Sequence, residues 1–189
     1  MAAVKELTKW EYLELLKAYR DQNSSVPIPN RFPWHSQIAS TILLESAKEG
    51  RDEVRILTGA SSDQFYSTFI PVPMQTCAES GCQIRILVWN YRNPERFGFL
   101  RDLECRFSNL QLRWSNTQEV GQKISHFLLV GTNRYRLERP HDYRNDEPIT
   151  EISPECLARI NFNDSDTGRA LAEVFDMLWA RTVGSTSTR

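Results

Sequence analysis

The sequence predicts an α/β domain in which helices flank a mixed sheet, and two observations carry this prediction. Apolar, β-branched runs at 53–59 ("EVRILTG") and 82–90 ("CQIRILVWN") each follow a helix-like segment, which is typical of parallel strands joined by a crossover helix. Further on, the strand-like runs 125–131 ("SHFLLVG") and 133–140 ("NRYRLERP") lie so close together that they favour an antiparallel hairpin. The expected sheet therefore contains both kinds of pairing.

The first part of the chain predicts a helical arm. Residues 4–20 place Tyr12, Leu16 and Tyr19 at helical spacing with charged residues between them, which indicates an amphipathic helix. A connector rich in proline and polar residues follows this helix. We therefore expect residues 1–33 to form an N-terminal helix and linker, packed on the domain or on a partner chain.

The other elements of the domain follow from the same periodicities, and we expect the α/β domain to span residues 34–181. A helix over 35–50 should end at Gly50, and the final helix should begin after the capping residues "NDSD". We expect a long polar loop at 140–154 and a disordered tail at 182–189. The remaining predictions are a short helix at 73–81, strands at 109–116 and 158–162, and the final helix at 167–182.

Composition limits the classes of function that the chain can have. The 23 Lys and Arg residues balance 24 Asp and Glu residues, so no global field attracts nucleic acid or an anionic membrane. No apolar run reaches the roughly 18 residues of a membrane span. The cysteines are scattered, without zinc-site spacing, and predict reduced thiols in a cytoplasmic protein that needs no metal and no cofactor. These cysteines are Cys77, Cys82, Cys105 and Cys156.

From residue 36 to residue 181, the order of elements resembles one repeat of the phospholipase D superfamily, which is marked by the motif H-x-K-x4-D. The matching stretches are a helix before "EVRILTG", then "GCQIRILVWN", then "HFLLVGTN" on the motif strand and finally "INFNDSDTGRALAEVFDMLW". On that motif, His126 takes the histidine position, Leu128 the lysine position and Asn133 the aspartate position. Only the histidine matches, so the motif is degenerate.

The resemblance implies a chemistry that this chain carries only in part. In the family, one histidine attacks phosphorus, a second histidine protonates the leaving oxygen, and single-repeat members obtain the second histidine by forming a dimer. The lysine neutralises the phosphate oxygens, and losing one such donor typically costs about a hundred- to thousandfold in rate. Leu128 supplies no charge, and Asn133 can orient an imidazole without stabilising its protonated form.

These considerations leave three functional hypotheses. The favoured one is a catalytically degenerate homodimeric module that binds nucleic acid or assembles with a protein complex. The alternative is a phosphodiesterase or nuclease that uses His126 from two protomers. The third is a subunit that scaffolds a larger complex through its N-terminal helix.

Several arginines are candidates for binding phosphate or nucleic acid. Arg134 and Arg136 alternate on the strand after the motif, so they share one face and either could replace the missing lysine. A second group, Arg92, Arg96 and Arg101, is interleaved with aromatic residues, a mixture suited to unstacked bases. Both groups also fit a structural explanation, in which the arginines pair with nearby acids. Likewise, His126 fits an ordinary hydrogen-bonded strand residue.

Overall fold

The fold is described from a computed structural model, and the description covers residues 7–30, 32–58, 70–89, 98–115, 125–138 and 158–184. Its helices are α1 (Lys9–Asp21), α2 (Pro33–Gly50), α3 (Pro71–Glu79), α4 (Gly98–Arg106) and α5 (Ser165–Arg181). Its strands are β1 (Ile28–Asn30), β2 (Val54–Thr58), β3 (Ile84–Val88), β4 (Leu110–Trp114), β5 (Phe127–Val130), β6 (Arg134–Glu138), β7 (Ala158–Asn161) and β8 (Val183–Gly184).

The strands form one mixed sheet of eight strands in the order β1-β7-β6-β5-β2-β3-β4-β8. Strands β2, β3 and β4 are parallel, and the other neighbouring pairs are antiparallel. The predicted parallel pair β2–β3 and the predicted hairpin β5–β6 are both confirmed. The α/β fold class that the sequence predicts, a mixed sheet flanked by helices, is therefore observed.

The core consists of two layers, one on each face of the sheet. On the first face, α1 to α4 cover the larger layer, to which Tyr12, Ile42, Met74 and Leu103 belong. On the opposite face, Phe175 and Trp179 of α5 pack against Leu57, Leu87 and other apolar side chains of the sheet. The first helix therefore packs on the domain, with Tyr12 and Leu16 in the core.

Local sequence explains where the helices begin and end. Thr8 caps α1 in a capping box with Glu11, and Pro33 occupies the first turn of α2. The carboxylate of Asp164 caps α5 by accepting a hydrogen bond from the Thr167 amide. It also accepts one from the Tyr135 hydroxyl at 2.6 Å, which lowers the pKa of Asp164 below its usual value.

The amino end of α5 is seated closely on the turn between β5 and β6. A Cβ atom at Gly168 would lie 2.1 Å from the carbonyl oxygen of Thr132, so only glycine allows this approach. Within the turn, Gly131 adopts a positive φ of 60°. The turn that follows the motif strand is thereby fixed against the final helix.

Three elements were not anticipated from the sequence. Strand β1 lies within the segment 1–33 and pairs with β7, and α4 follows the arginine-rich stretch at 90–97. Strand β8 comes from the predicted tail, whose last residues, 185–189, lie outside the described ranges. The predicted loop at 140–154 also lies outside them, and the boundaries at 33/34 and 181/182 stay predictions. None of the helices in the described ranges combines the length and apolar character that crossing a bilayer requires.

Candidate functional site

The candidate site lies at one edge of the sheet, where the three parallel strands end. Because β5 runs antiparallel to β2 and Phe127 pairs with Leu57, His126 lies at the same edge as Thr58, the last residue of β2. Glu138 at the end of β6 and Ala158 at the start of β7 also lie there. In open α/β sheets, the carboxyl ends of the parallel strands are the usual place for a ligand.

His126 lies directly before β5 and across from Glu138. Its carbonyl oxygen accepts a hydrogen bond from the Glu138 amide at 2.8 Å. Its Nδ1 atom lies 3.8 Å from Oε2 of the Glu138 carboxylate, and the two side chains are 14% and 19% exposed. The imidazole therefore has a carboxylate on its Nδ1 side and little contact with solvent.

Arg136 lies one pleat inward from Glu138, on the same face of β6. The residues beside it across the sheet form a row that is otherwise apolar. That row, which we call the inner row, is Leu112, Ile86, Ile56, Leu128, Arg136, Ile160 and Ile28. Because a guanidinium is costly to bury without a partner, its position requires an anion nearby, and Glu138 accepts a hydrogen bond from its Nη2.

The amino-terminal part of α2 supplies the other partner of this guanidinium. Ser36 accepts a hydrogen bond at 2.8 Å from Nη2 of Arg136 and another at 3.0 Å from the buried side chain of Asn30. Next to Ser36, the ring of His35 stacks on Tyr12 with centroids 3.8 Å apart. Burial raises the pKa of the Tyr12 hydroxyl, and the positive charge of Arg136 opposes this shift.

The residue at the lysine position of the motif belongs to the core. Leu128 is 4% exposed and lies in the inner row between Ile56 and Arg136. It packs in the layer that α1 to α4 cover. Arg136 therefore brings a cation to the position directly across from Leu128, on the neighbouring strand.

Two predicted site residues lie at the other end of the hairpin. Asn133 donates a hydrogen bond to the Asn163 side chain at 3.4 Å, and its carbonyl oxygen accepts one from the Asp164 amide. Arg134 donates to the carbonyl oxygen of Ser46 at 3.2 Å and pairs with Asp52. Four residues of extended strand, roughly 13 Å, separate this end from His126, so the structure does not bring these residues to the imidazole.

The arginine-rich segment is described only in part. Arg101 is exposed on α4, and its guanidinium lies 5.5 Å from the ring centroid of Trp114, within the range of a cation–π contact. Arg92 and Arg96 lie outside the described ranges. Within the described part of the chain, no three His, Cys, Asp or Glu side chains are grouped so that they could hold a metal.

Sequence reasoning named His126 and Arg136 as candidates but did not name Glu138, Ser36 or Asn30, which the structure places beside them. Alternation along a strand places residue 138 on the face of residue 136, and a tight turn pairs residue 138 with His126, so these two rules could have identified Glu138. Asn30 and Ser36 gave no such signal, because β1 is short and α2 reaches the site only through the packing of the helices.

The chemistry of the site follows from its three ionisable groups. One carboxylate lies between one guanidinium and one imidazole, and each of its two oxygens faces one of them. The positive charge of the Arg136 guanidinium is neutralised by the negative charge of the Glu138 carboxylate. Groups that can contact an anion are present, but the Glu138 carboxylate already accepts a hydrogen bond from the guanidinium and lies beside the imidazole.

Comparison with known proteins finds similarity in structure alone: no protein-family profile and no curated protein sequence matches the chain. The phospholipase D family member Nuc from Salmonella typhimurium superposes with a TM-score of 0.60 at 10% identity, over 86% of this chain and all of Nuc. NucT from Helicobacter pylori gives 0.56 at 12% identity, over 84% of this chain and 98% of NucT.

A third similar structure is an archaeal chromatin protein whose structure shows a mode of DNA binding. It superposes with a TM-score of 0.57 at 14% identity, over 89% of this chain and 59% of that protein. Identities this low establish a common fold and nothing about activity. The fold of this chain is that of the phospholipase D-like proteins.

Proposed function

We propose that the protein is a catalytically silent phospholipase D-like domain that acts as a binding or assembly module. The observation that carries this proposal is the position of Glu138, whose carboxylate accepts a hydrogen bond from Arg136 and lies 3.8 Å from Nδ1 of His126. A phosphoryl group would need the same two side chains. The core leucine at position 128 supports the same conclusion, because it removes the charge that stabilises phosphate oxygens in this fold.

Nucleic acid is one ligand class that we propose for the module. Support comes from the similarity to a DNA-binding chromatin protein and from the exposed position of Arg101. Arg92 and Arg96 are proposed to act with it, since single-stranded nucleic acid binds to mixed aromatic and basic surfaces. A protein complex is the second ligand class, and the cytoplasm is the proposed location.

The alternative function is a phosphodiesterase with a rebuilt site, and one observation favours it. The Glu138 carboxylate lies on the Nδ1 side of His126, where it would orient the ring and leave Nε2 to attack phosphorus. In that mechanism, Arg136 would replace the lysine. It requires that a phosphate displace Glu138 from Arg136, whose side chain is only 7% exposed.

Hydrolysis assays distinguish the two functions. We expect the wild-type protein to hydrolyse bis(p-nitrophenyl) phosphate, single-stranded DNA and phosphatidylcholine no faster than His126→Ala, because Leu128 carries no charge and Glu138 already pairs with Arg136. The comparison with His126→Ala corrects for hydrolysis by a contaminating enzyme, because such an enzyme would act equally in both preparations. Turnover that this substitution abolishes would establish the phosphodiesterase instead.

We also propose that two copies form a symmetric homodimer, since single-repeat proteins of this architecture pair to bring two motif strands together. Sedimentation equilibrium at micromolar concentration is expected to give twice the mass of the chain. A monomer at that concentration would exclude both the homodimer and any mechanism that uses His126 from two protomers.

A further inference from the structure

The carboxylate of Glu138 divides its two oxygens between two groups that would otherwise attract an anion. Its Oε1 accepts a hydrogen bond from Nη2 of Arg136, and its Oε2 lies 3.8 Å from Nδ1 of His126. An oxygen of a phosphate monoester or diester would make the same two contacts, because both anions accept charge-assisted hydrogen bonds from guanidinium and imidazole groups. Glu138 therefore stands where such an oxygen would bind.

The surroundings of the Arg136 guanidinium favour an anion at the position that the Glu138 carboxylate occupies. The guanidinium lies in the apolar inner row, where only a negative charge compensates for its burial. Ser36 holds the guanidinium in position, and the Nε atom of Arg136 is buried without a hydrogen-bond partner among the described residues. The Nε–H donor of the guanidinium is thus available to a third acceptor, beyond Glu138 and Ser36.

We infer that Glu138 is an internal anion that closes the site to phosphate groups. The inference rests on the proposed function, because it explains why a phospholipase D-like site is silent although a histidine and an arginine are present. It makes a specific claim about one carboxylate: neutralising Glu138 opens a phosphate site on Arg136 and His126. Leu128 still supplies no charge, so the opened site binds phosphate without hydrolysing a diester.

The test is a titration with inorganic phosphate at constant ionic strength, with chloride as the reference anion. Glu138→Gln keeps the shape of the side chain and removes its charge. We expect this variant to bind phosphate at least about tenfold more tightly than the wild-type protein, since a charge-assisted hydrogen bond contributes about that factor or more. Binding is followed by the NMR signals of the His126 imidazole and by the increase in Tm.

Two controls separate a specific site from a change in net charge. Glu53 shares its carboxylate between Arg85 and Arg55 in a similar way, but Asp176 also pairs with both arginines. Glu53→Gln therefore removes the same charge away from the site, leaves both arginines with an anion and should gain no phosphate affinity. The double substitution Glu138→Gln with Arg136→Met should lose the gain. Equal phosphate affinity in Glu138→Gln and wild type, or a gain that persists without Arg136, would overturn the inference.

The wild-type protein gives a second measurement that does not depend on a variant folding. We expect phosphate to leave its His126 and Arg136 side-chain signals unchanged, and saturable shifts in both would contradict a closed site. Failure of this inference is distinguishable from failure of the proposed function. Hydrolysis that depends on His126 overturns the function, whereas a silent wild-type protein whose Glu138→Gln variant ignores phosphate overturns the inference alone.

Discussion

Leu128→Lys is expected to destabilise the protein severely and to restore no activity, although it restores the lysine of the H-x-K-x4-D motif. Leu128 is 4% exposed and lies directly across from Arg136 on the same face of the hairpin. The new lysine ammonium would lie beside the buried guanidinium of Arg136, and the Glu138 carboxylate would have to neutralise both. Like charges at directly opposed positions of a sheet repel each other. We expect a loss of at least about 4 kcal/mol in the free energy of unfolding, measured by urea denaturation.

Leu128→Met is the matched control, because methionine has a similar volume and no charge. It should cost less than about 1.5 kcal/mol in the same measurement. If Leu128→Lys proved as stable as Leu128→Met, position 128 would face an open, hydrated site rather than the core. Phosphodiesterase activity in a stable Leu128→Lys protein would go further and show that a working site lacks only its lysine.

Breaking the pair between Arg136 and Glu138 is expected to have the second largest effect. Arg136→Met leaves the Glu138 carboxylate, which is 19% exposed, without its cation, and we expect a loss of about 3 kcal/mol. The double substitution with Glu138→Leu should recover most of that loss, since an apolar pair suits the inner row. Urea denaturation of the wild type, both single variants and the double variant gives the coupling energy, which we expect to be about 1 to 3 kcal/mol.

The exposed pair of Arg169 and Asp166 on α5 is the control for this cycle. Its side chains are 64% and 93% exposed, so its coupling energy should stay below about 0.5 kcal/mol. A coupling energy between Arg136 and Glu138 that is as small as the control's would mean that the carboxylate does not hold the guanidinium. The internal-anion explanation of the silent site would then lose its basis.

Periodicity predicted most of the fold because the sheet separates two apolar layers. Apart from Arg55 and Arg85, strands β2 and β3 are buried on both faces and therefore read as apolar runs rich in β-branched residues. Helix α5 presents Phe175 and Trp179 at helical spacing, which the sequence showed directly. Short edge strands are different: β1 and β8 have three and two residues, too few for any period, and only their pairing with β7 and β4 creates them.

Site residues that belong to a sequence motif or to one strand could be predicted from the sequence. Residues that reach the site only through the packing of other elements could not. The degenerate motif pointed to His126 and to the uncharged position at Leu128, and strand alternation put Arg134 and Arg136 on one face without showing which face. Alternation alone could not separate Arg134 from Arg136, because both share that face and only the register shows that Arg134 lies at the end held by Asp52. Ser36 reaches the guanidinium only because α2 packs across the sheet.

The most direct test of the proposal that the site is silent is a search for a covalent phosphohistidine. The wild-type protein and His126→Ala would be incubated with bis(p-nitrophenyl) phosphate, quenched with denaturant at alkaline pH and compared by intact-protein and peptide mass spectrometry. We expect no phosphoryl adduct on the peptide that contains His126, because Glu138 occupies the place of the phosphate and Leu128 provides no charge to stabilise it. An adduct on His126 that forms with time and is absent from His126→Ala would contradict this account.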